Sequence, residues 1–237
     1  MNPFDRNPAT AFPGSVASAE RVTAFLRAVY GWMCAGLAVT GVVAYVVASS
    51  PALLQALVGN SMLVIGLFIG QLALVFYLSA RAHRLAPGTA TAVFLGYAGL
   101  TGVTLSVLVL AYTGASIATT FMVTAGMFGG LAFYGTTTSR SLAGMGQFMF
   151  MGLIGLVLAS IVGLFWHNDA LQFLISVVGV IVFTGLTAWD AQRLKQMALE
   201  IPQDRVGSYA IVGALALYLD FLNLFLFLLR FLGGRRE

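Results

Sequence analysis

The sequence predicts an all-α, polytopic membrane protein, a bundle of seven transmembrane helices with the C-terminal helix at its centre. Of its 237 residues, 59% are hydrophobic and 8% are charged, whereas an ordinary soluble domain has about 25% charged residues. A soluble fold of this length would still expose roughly 30% of its surface, which is too much for so apolar a chain. Its apolar segments are continuous rather than alternating, unlike those of a transmembrane β-barrel. This composition excludes a soluble enzyme and a disordered chain.

The first four spans follow from the gaps between charged residues. No charge occurs in the 53 residues between Arg27 and Arg81, or in the 55 residues between Arg84 and Arg140. A transmembrane helix needs about 20 residues. Each gap therefore holds two spans and a turn between them.

The second half of the chain contains three more spans. Residues 141–168 and 170–189 carry no charge, and residues 206–229 are interrupted only by Asp220. Each segment is long enough for one span. The predicted helices are 25–48, 61–81, 89–112, 115–136, 145–166, 170–195 and 208–231.

The domain organisation is simple. Residues 1–20 are polar and contain three prolines, and they are predicted to form a flexible cytoplasmic N-terminal tail. Residues 21–237 form one seven-helix transmembrane domain. The sequence shows no convincing internal repeat, so a transporter built from repeats is not indicated.

The basic residues predict the orientation. Arginines precede the first span, and arginine or lysine occurs in the loops after the second, fourth and sixth spans, whereas the loops on the other side contain none. Positively charged loops stay in the cytoplasm, so the N-terminus is predicted to be cytoplasmic. The excess of basic residues, a net charge of +4, is therefore interpreted as a signal of the protein's orientation in the membrane. Nucleic acid is not an expected partner. The seventh helix either spans fully or re-enters the same side.

Asp220 is the most unusual residue of the sequence. It lies about 18 Å into a helix that begins near Ser208, close to the middle of a hydrocarbon layer about 30 Å thick. An acid at that depth costs roughly 3 kcal/mol and should face the protein interior, on the same helix face as Asn223. Two interpretations stay open: a protonated acid that holds helices together, or a group linked to proton or ion movement.

Asp190 lies near the inner end of the sixth helix, with Thr187 and Arg193 one turn away on either side. Alone, it would be interpreted as an interfacial acid paired with Arg193. Together with Asp220, however, it forms a pair of acids on consecutive helices. If the two touch, both cannot be charged cheaply in a low dielectric, and they exchange protons as a unit.

The other polar residues indicate no reaction. No phosphate-binding glycine loop, catalytic triad spacing or Cys/His cluster occurs, and Cys34 is the only cysteine. The expectation is therefore a protein that is not an enzyme and holds no tightly bound cofactor. Gln71, in the second span, is expected to make an interhelical hydrogen bond.

Several segments resemble the Bax inhibitor family, also called the transmembrane Bax inhibitor motif family, and in particular its bacterial branch. The resemblance covers nearly the whole chain after the tail. Its two most specific segments each place an acid in a fixed apolar setting. The segments are Tyr30-Gly31-Trp32-Met33 with Gly36-Leu37, Tyr112-Thr113-Gly114-Ala115-Ser116, Phe183-Thr184-Gly185-Leu186-Thr187-Ala188-Trp189-Asp190 and Ala216-Leu217-Tyr218-Leu219-Asp220-Phe221-Leu222-Asn223-Leu224-Phe225.

This resemblance implies a seventh helix enclosed by the other six, and a pH-sensitive calcium leak whose sensor is the pair Asp190 and Asp220. Both carboxylates would then be transient calcium contacts. One departure from the family pattern weakens the interaction that is expected to hold the acid pair closed. In one well-described bacterial member of the family, an arginine of the second helix is bonded to the pair, whereas this second helix is uncharged between Gly59 and Ala80, with Gln71 as the nearest polar substitute.

Three functions stay open from the sequence. The first is a calcium-permeable leak channel gated by the acid pair, in which leak rises with pH, or falls if protonation instead frees Asp190. The second is a non-conducting regulator that binds a membrane protease, the secretion machinery or another membrane complex in quality control or stress response. The third is a proton-coupled transporter. All three place the protein in the lipid bilayer, expected to be the bacterial inner membrane.

Overall fold

The computed structural model describes residues 13–81, 85–166 and 168–234, and in these ranges it contains helices and no strand. Eight α-helices follow one another, and a short 3₁₀ turn, Gln203–Arg205, precedes the last. Their bounds are α1 Pro13–Ala48, α2 Pro51–Val58, α3 Ser61–Ala80, α4 Pro87–Ala111, α5 Gly114–Thr137, α6 Ala143–Phe165, α7 Asp169–Glu200 and α8 Val206–Leu232.

The seven predicted spans are confirmed: in the described ranges, all helices except the short α2 are long and apolar enough to cross a membrane. The differences lie at the ends. Helix α1 is described from Pro13, twelve residues before the predicted start. Residues 13–20 of the expected tail are therefore helical, and residues 1–12 lie outside the described ranges. Helix α7 continues to Glu200, five residues beyond its predicted end.

Helix α8 forms the centre of the bundle, as predicted. Of its most apolar stretch of 18 residues, 67% is buried inside the protein, whereas the corresponding share is 6% to 44% in the other six spans. It contacts α1, α4, α5 and α7, and more narrowly α3. Its Tyr218 is fully buried, makes edge contacts with the rings of Phe94 and Tyr97, and lies 2.6 Å from the hydroxyl of Thr40.

Helix α8 spans the full bundle, so the re-entrant alternative is wrong. At its first turn, the Ser208 hydroxyl donates to the Leu85 carbonyl in the basic loop after α3, at 2.7 Å. Beyond its last turn, the backbone of Gly234 is tied to the turn between α4 and α5. The Gly234 N–H donates to Ser116 Oγ at 2.9 Å, and its carbonyl accepts from the Thr113 N–H at 3.3 Å. The two ends of α8 therefore lie on opposite sides.

Small residues allow the central helices to approach closely. A Cβ at Gly213 of α8 would lie 2.7 Å from Leu194 Cδ2 of α7 and 3.3 Å from Val29 Cγ2 of α1. A Cβ at Gly135 of α5 would overlap the Ala188 carbonyl of α7. By contrast, a Cβ at Gly130 of α5 would meet nothing within 4 Å. Close packing is therefore confined to the faces that point into the bundle.

Candidate functional site

The two acids lie at similar depths on adjacent helices. Asp190 stands ten residues before the end of α7 and Asp220 fourteen residues after the start of α8, which places them about 15 Å and 21 Å from the connecting loop. The additional turn of α7, up to Glu200, moves Asp190 deeper than the sequence predicted. That extension removes much of the axial gap between the two residues.

The carboxyl groups of Asp190 and Asp220 lie within hydrogen-bonding reach of each other. An ionised carboxylate only accepts hydrogen bonds, so two carboxyl groups bond to each other only when one of them carries a proton. Asp220 is 6% exposed, and its Oδ2 is buried without a hydrogen-bond partner among the described residues. The two side chains are therefore placed so that a proton on one carboxyl group can bond to the other.

Arg193 is the charged neighbour of the pair. Its Nη1 lies 4.0 Å from Asp190 Oδ1, one turn further along α7, and its guanidinium lies over the Trp189 ring at 5.6 Å from the ring centre. The Arg193 side chain is 58% exposed, against 16% for that of Asp190. An ion pair this long and this open is weak. Arg193 therefore moderates the charge on Asp190 without neutralising it.

A pocket reaches Asp190 from the side of the basic loops. Its volume is about 300 Å³, and its lining comes from α7, α8 and the end of α3. Ser79 of α3 and Tyr209 of α8 line it, as does Ala216, which lies one turn before Asp220 on α8. The pocket is therefore lined by Asp190 and extends along α8 to within one turn of Asp220.

Beyond the pair, towards the opposite side, apolar side chains close the space between α7 and α8. Leu224 and Leu228 are buried there with Phe183 in one cluster. The Phe183 ring stacks on Phe227 with 5.8 Å between ring centres, and Phe227 covers Gly179. The structure is therefore closed on this side of the acids.

The remaining residues predicted from sequence bond elsewhere. The Thr187 hydroxyl donates to the Phe183 carbonyl at 2.7 Å, and the Asn223 amide donates to the Leu219 carbonyl at 2.8 Å, so each bonds within its own helix. Gln71 makes the expected interhelical bond: its amide donates to Thr104 of α4 at 2.6 Å.

Sequence reasoning missed two residues of α7 that hold neighbouring elements in place. The Gln192 amide donates to the Arg140 carbonyl and its oxygen accepts from the Leu142 N–H, both at 2.8 Å, which ties the loop between α5 and α6 to α7. The Lys195 ammonium donates to the Thr136 carbonyl at the end of α5, at 2.6 Å. The signal in the sequence was the position of these two polar residues, which lie just beyond the apolar part of α7.

The fold and the site together define a multi-pass helical membrane protein with a pair of acids buried between its last two spans. A family model described as "Inhibitor of apoptosis-promoting Bax1" matches residues 22–237. The chain belongs to the Bax inhibitor family, as the sequence motifs indicated.

Bacterial relatives support the same assignment over most of their length. The chain is 50% identical over 215 residues to "Inner membrane protein YbhL" of Escherichia coli K12, covering 90% of this chain and 92% of that protein. It is 44% identical to a protein of Deinococcus radiodurans, covering 92% and 93%. A protein of Caulobacter vibrioides is 40% identical with both chains covered completely.

Proposed function

We propose that this protein is a pH-sensitive, calcium-permeable leak channel that is closed while Asp190 and Asp220 share a proton. The observation that carries the proposal is the position of Asp190 and Asp220, which neighbour each other on α7 and α8 beside a pocket that Asp190 lines. The family resemblance suggested the function, and the position of this pair supports it. The proposal assigns no catalysed reaction and no tightly bound cofactor.

Electrostatics sets the direction of the pH response. Loss of the shared proton leaves two like charges in contact in a low dielectric. Arg193, at 4.0 Å, pairs with Asp190, while Asp220 Oδ2 has no partner in the described part of the chain. The resulting repulsion separates α7 from α8 at this level. Leak therefore increases as the pH rises and the pair loses its proton.

Separation of the two helices would extend the pocket past the acid pair. Calcium is a hard cation that prefers oxygen ligands, which the two carboxylates provide. Conduction needs sites weak enough to release the ion. No three His, Cys, Asp or Glu side chains cluster within the described ranges, so the calcium contacts proposed here are these two carboxylates alone.

The proposed orientation follows from the positions of the basic residues. The pocket opens on the side of the basic loops, which we assign to the cytoplasm. The Escherichia coli relative is an inner membrane protein by name, and we assign this chain to the same kind of membrane, with a cytoplasmic N-terminus. Asp190 would then be reached from the cytoplasm.

The first prediction concerns Asp220→Asn in liposomes that contain a trapped calcium indicator. Asparagine keeps the size and hydrogen-bonding capacity of the side chain but cannot ionise, so calcium entry should lose most of its dependence on pH. Asp204→Asn is the matched control. Asp204 is 74% exposed in the loop before α8 and pairs with Arg205, so this variant should keep the wild-type pH profile.

Two outcomes would overturn the proposal. An unchanged pH profile in Asp220→Asn would mean that Asp220 only holds helices together. No calcium flux at any pH, from protein that is monodisperse and melts cooperatively, would remove the leak itself. Co-purification of a membrane protease or secretion complex with such a protein would then support the regulator, and proton movement coupled to another solute would support the transporter.

A further inference from the structure

An apolar cleft lies between α1 and α5, and it shares no lining residue with the pocket at Asp190. Both helices pack against α8 and leave a space of about 530 Å³ between them. Its floor is formed by Phe128 and Phe221, which are buried and in edge contact at 5.5 Å between ring centres. On α5 the wall consists of the small residues Ala125 and Gly129, and Phe133, 69% exposed, flanks the opening. The cleft therefore opens sideways into the lipid.

The shape and lining of the cleft select its occupant. A helix with its side chains is about 10 Å across, whereas an extended hydrocarbon chain is narrower and matches an apolar slot with aromatic walls. The wall on α1 runs from Tyr30 to Leu37. Counted from Arg27, this stripe is about 15 Å long, half of a hydrocarbon layer about 30 Å thick. The cleft thus covers one leaflet.

The cleft has positive charges at one end only. Arg27 is exposed and lies one turn beyond Tyr30 on the same stripe of α1. On the α5 side, Thr136 lines the cleft and its carbonyl accepts from the Lys195 ammonium at 2.6 Å. Neither Arg27 nor Lys195 forms an ion pair with an acid in the described ranges. Two cations that have no acidic partner among the described residues therefore stand near this end of the cleft.

We propose that this cleft binds one acyl chain of an anionic phospholipid, whose phosphate contacts Arg27 and Lys195. Basic pockets between transmembrane helices on the cytoplasmic side bind anionic head groups by the same attraction. The apolar part of the cleft accepts the chain, and the cations at its end select the head group. The bound chain would rest on Phe221, next to Asp220 in the sequence. Lipid binding does not depend on ion conduction, so the two proposals can fail separately.

Cys34 provides the probe, because it is the only cysteine, is exposed and lines the cleft. The experiment measures its rate of modification by N-ethylmaleimide in nanodiscs of phosphatidylcholine and of phosphatidylglycerol. Phosphatidylglycerol should slow the modification by about fivefold for each cation that contributes. Native mass spectrometry should then show phosphatidylglycerol retained on the unlabelled protein.

Two pairs of variants test the head group and the chain separately. Arg27→Gln with Lys195→Gln should remove the difference between the lipids, whereas Arg140→Gln, an exposed arginine beyond the end of α5, should keep it. Gly129→Leu should fill the cleft and displace the lipid. Gly130→Leu, on the next position of the same helix, should not. A Cβ at either glycine meets nothing within 4 Å, so both variants should fold.

Equal modification in the two lipids would overturn the proposal, because it would show no selection of the head group. Protection of Cys34 that increases with the amount of protein in the membrane and is the same in both lipids would also overturn the proposal, because the cleft would then be covered by another protein chain.

Discussion

The most apolar 18-residue stretches of helices α8 and α3 have nearly the same mean hydropathy, 2.1 and 2.2. Nevertheless, 67% of that stretch is buried inside the protein in α8, and only 6% in α3. In a membrane, hydropathy does not distinguish a central helix from a helix at the rim of the bundle, because lipid tails are as apolar as leucine. The size and polarity of the residues distinguish the two helices instead. Helix α8 carries Gly213, Ala214 and Asp220 on its packed faces, whereas α3 presents Phe68 and Phe76 to the lipid.

The largest effect should come from adding bulk to a glycine on each helix. Gly213→Leu would push against Leu194 and Val29, and overpacking of this kind costs about 3 kcal/mol. Gly66→Leu on α3 meets nothing within 4 Å and should change the free energy of unfolding by less than about 0.5 kcal/mol. Reversible unfolding in mixed micelles measures both. Equal losses would mean that α3 also packs against protein.

A smaller effect should come from removing bulk. Leu224 of α8 is 0% exposed and Leu72 of α3 is 59% exposed. Leu224→Ala should cost about 2 kcal/mol, the lower end of the usual range, because the unfolded helices also remain in lipid and only packing is lost. Leu72→Ala should cost close to nothing, since lipid fills the space. The same unfolding assay distinguishes them, and a loss at Leu72 alone would reverse the comparison.

The smallest effect should come from one buried hydrogen bond. Tyr218→Phe removes the bond to the Thr40 hydroxyl, and interhelical bonds in membranes contribute about 1 kcal/mol. Tyr77→Phe on α3 keeps the ring under Arg81 and should leave stability unchanged. Thermal melting of the two purified variants in the same detergent gives the contrast. A neutral Tyr218→Phe would show that Thr40 is satisfied by the Ala98 carbonyl alone.

Seven spans could be predicted because charges are rare and mark the ends of apolar segments. The helix ends were predicted less well for the same reason. Residues 13–24 of α1 contain Glu20 and Arg21, and residues 196–200 of α7 follow Lys195 and end at Glu200. Both segments are helical, but counting charge-free apolar segments excludes them. The short helix Pro51–Val58 was taken for part of a turn, although proline at its first position is a helix-start signal.

Most of the candidate site could be predicted too, because an acid in an apolar helix needs a partner. The sequence pairs Asp190 with Asp220 because they are the two acids of the apolar segments and lie on consecutive helices, although their depths leave an axial gap. The contacts of Gln192 and Lys195 could not be predicted, since each joins residues 50 or more positions apart. The cleft between α1 and α5 was also unpredictable, because a space between two helices depends on how both pack against a third.

The position of α8 also bears on how the protein is made. The helix at the centre is the last of the eight to leave the ribosome, since synthesis proceeds from the N-terminus. The earlier spans enter the bilayer before the central helix exists, and Asp190 enters without Asp220. Assembly can be completed only after residue 232 has been added. A chain that stops earlier is long, apolar and inserted, but it lacks the helix against which α1, α4, α5 and α7 pack.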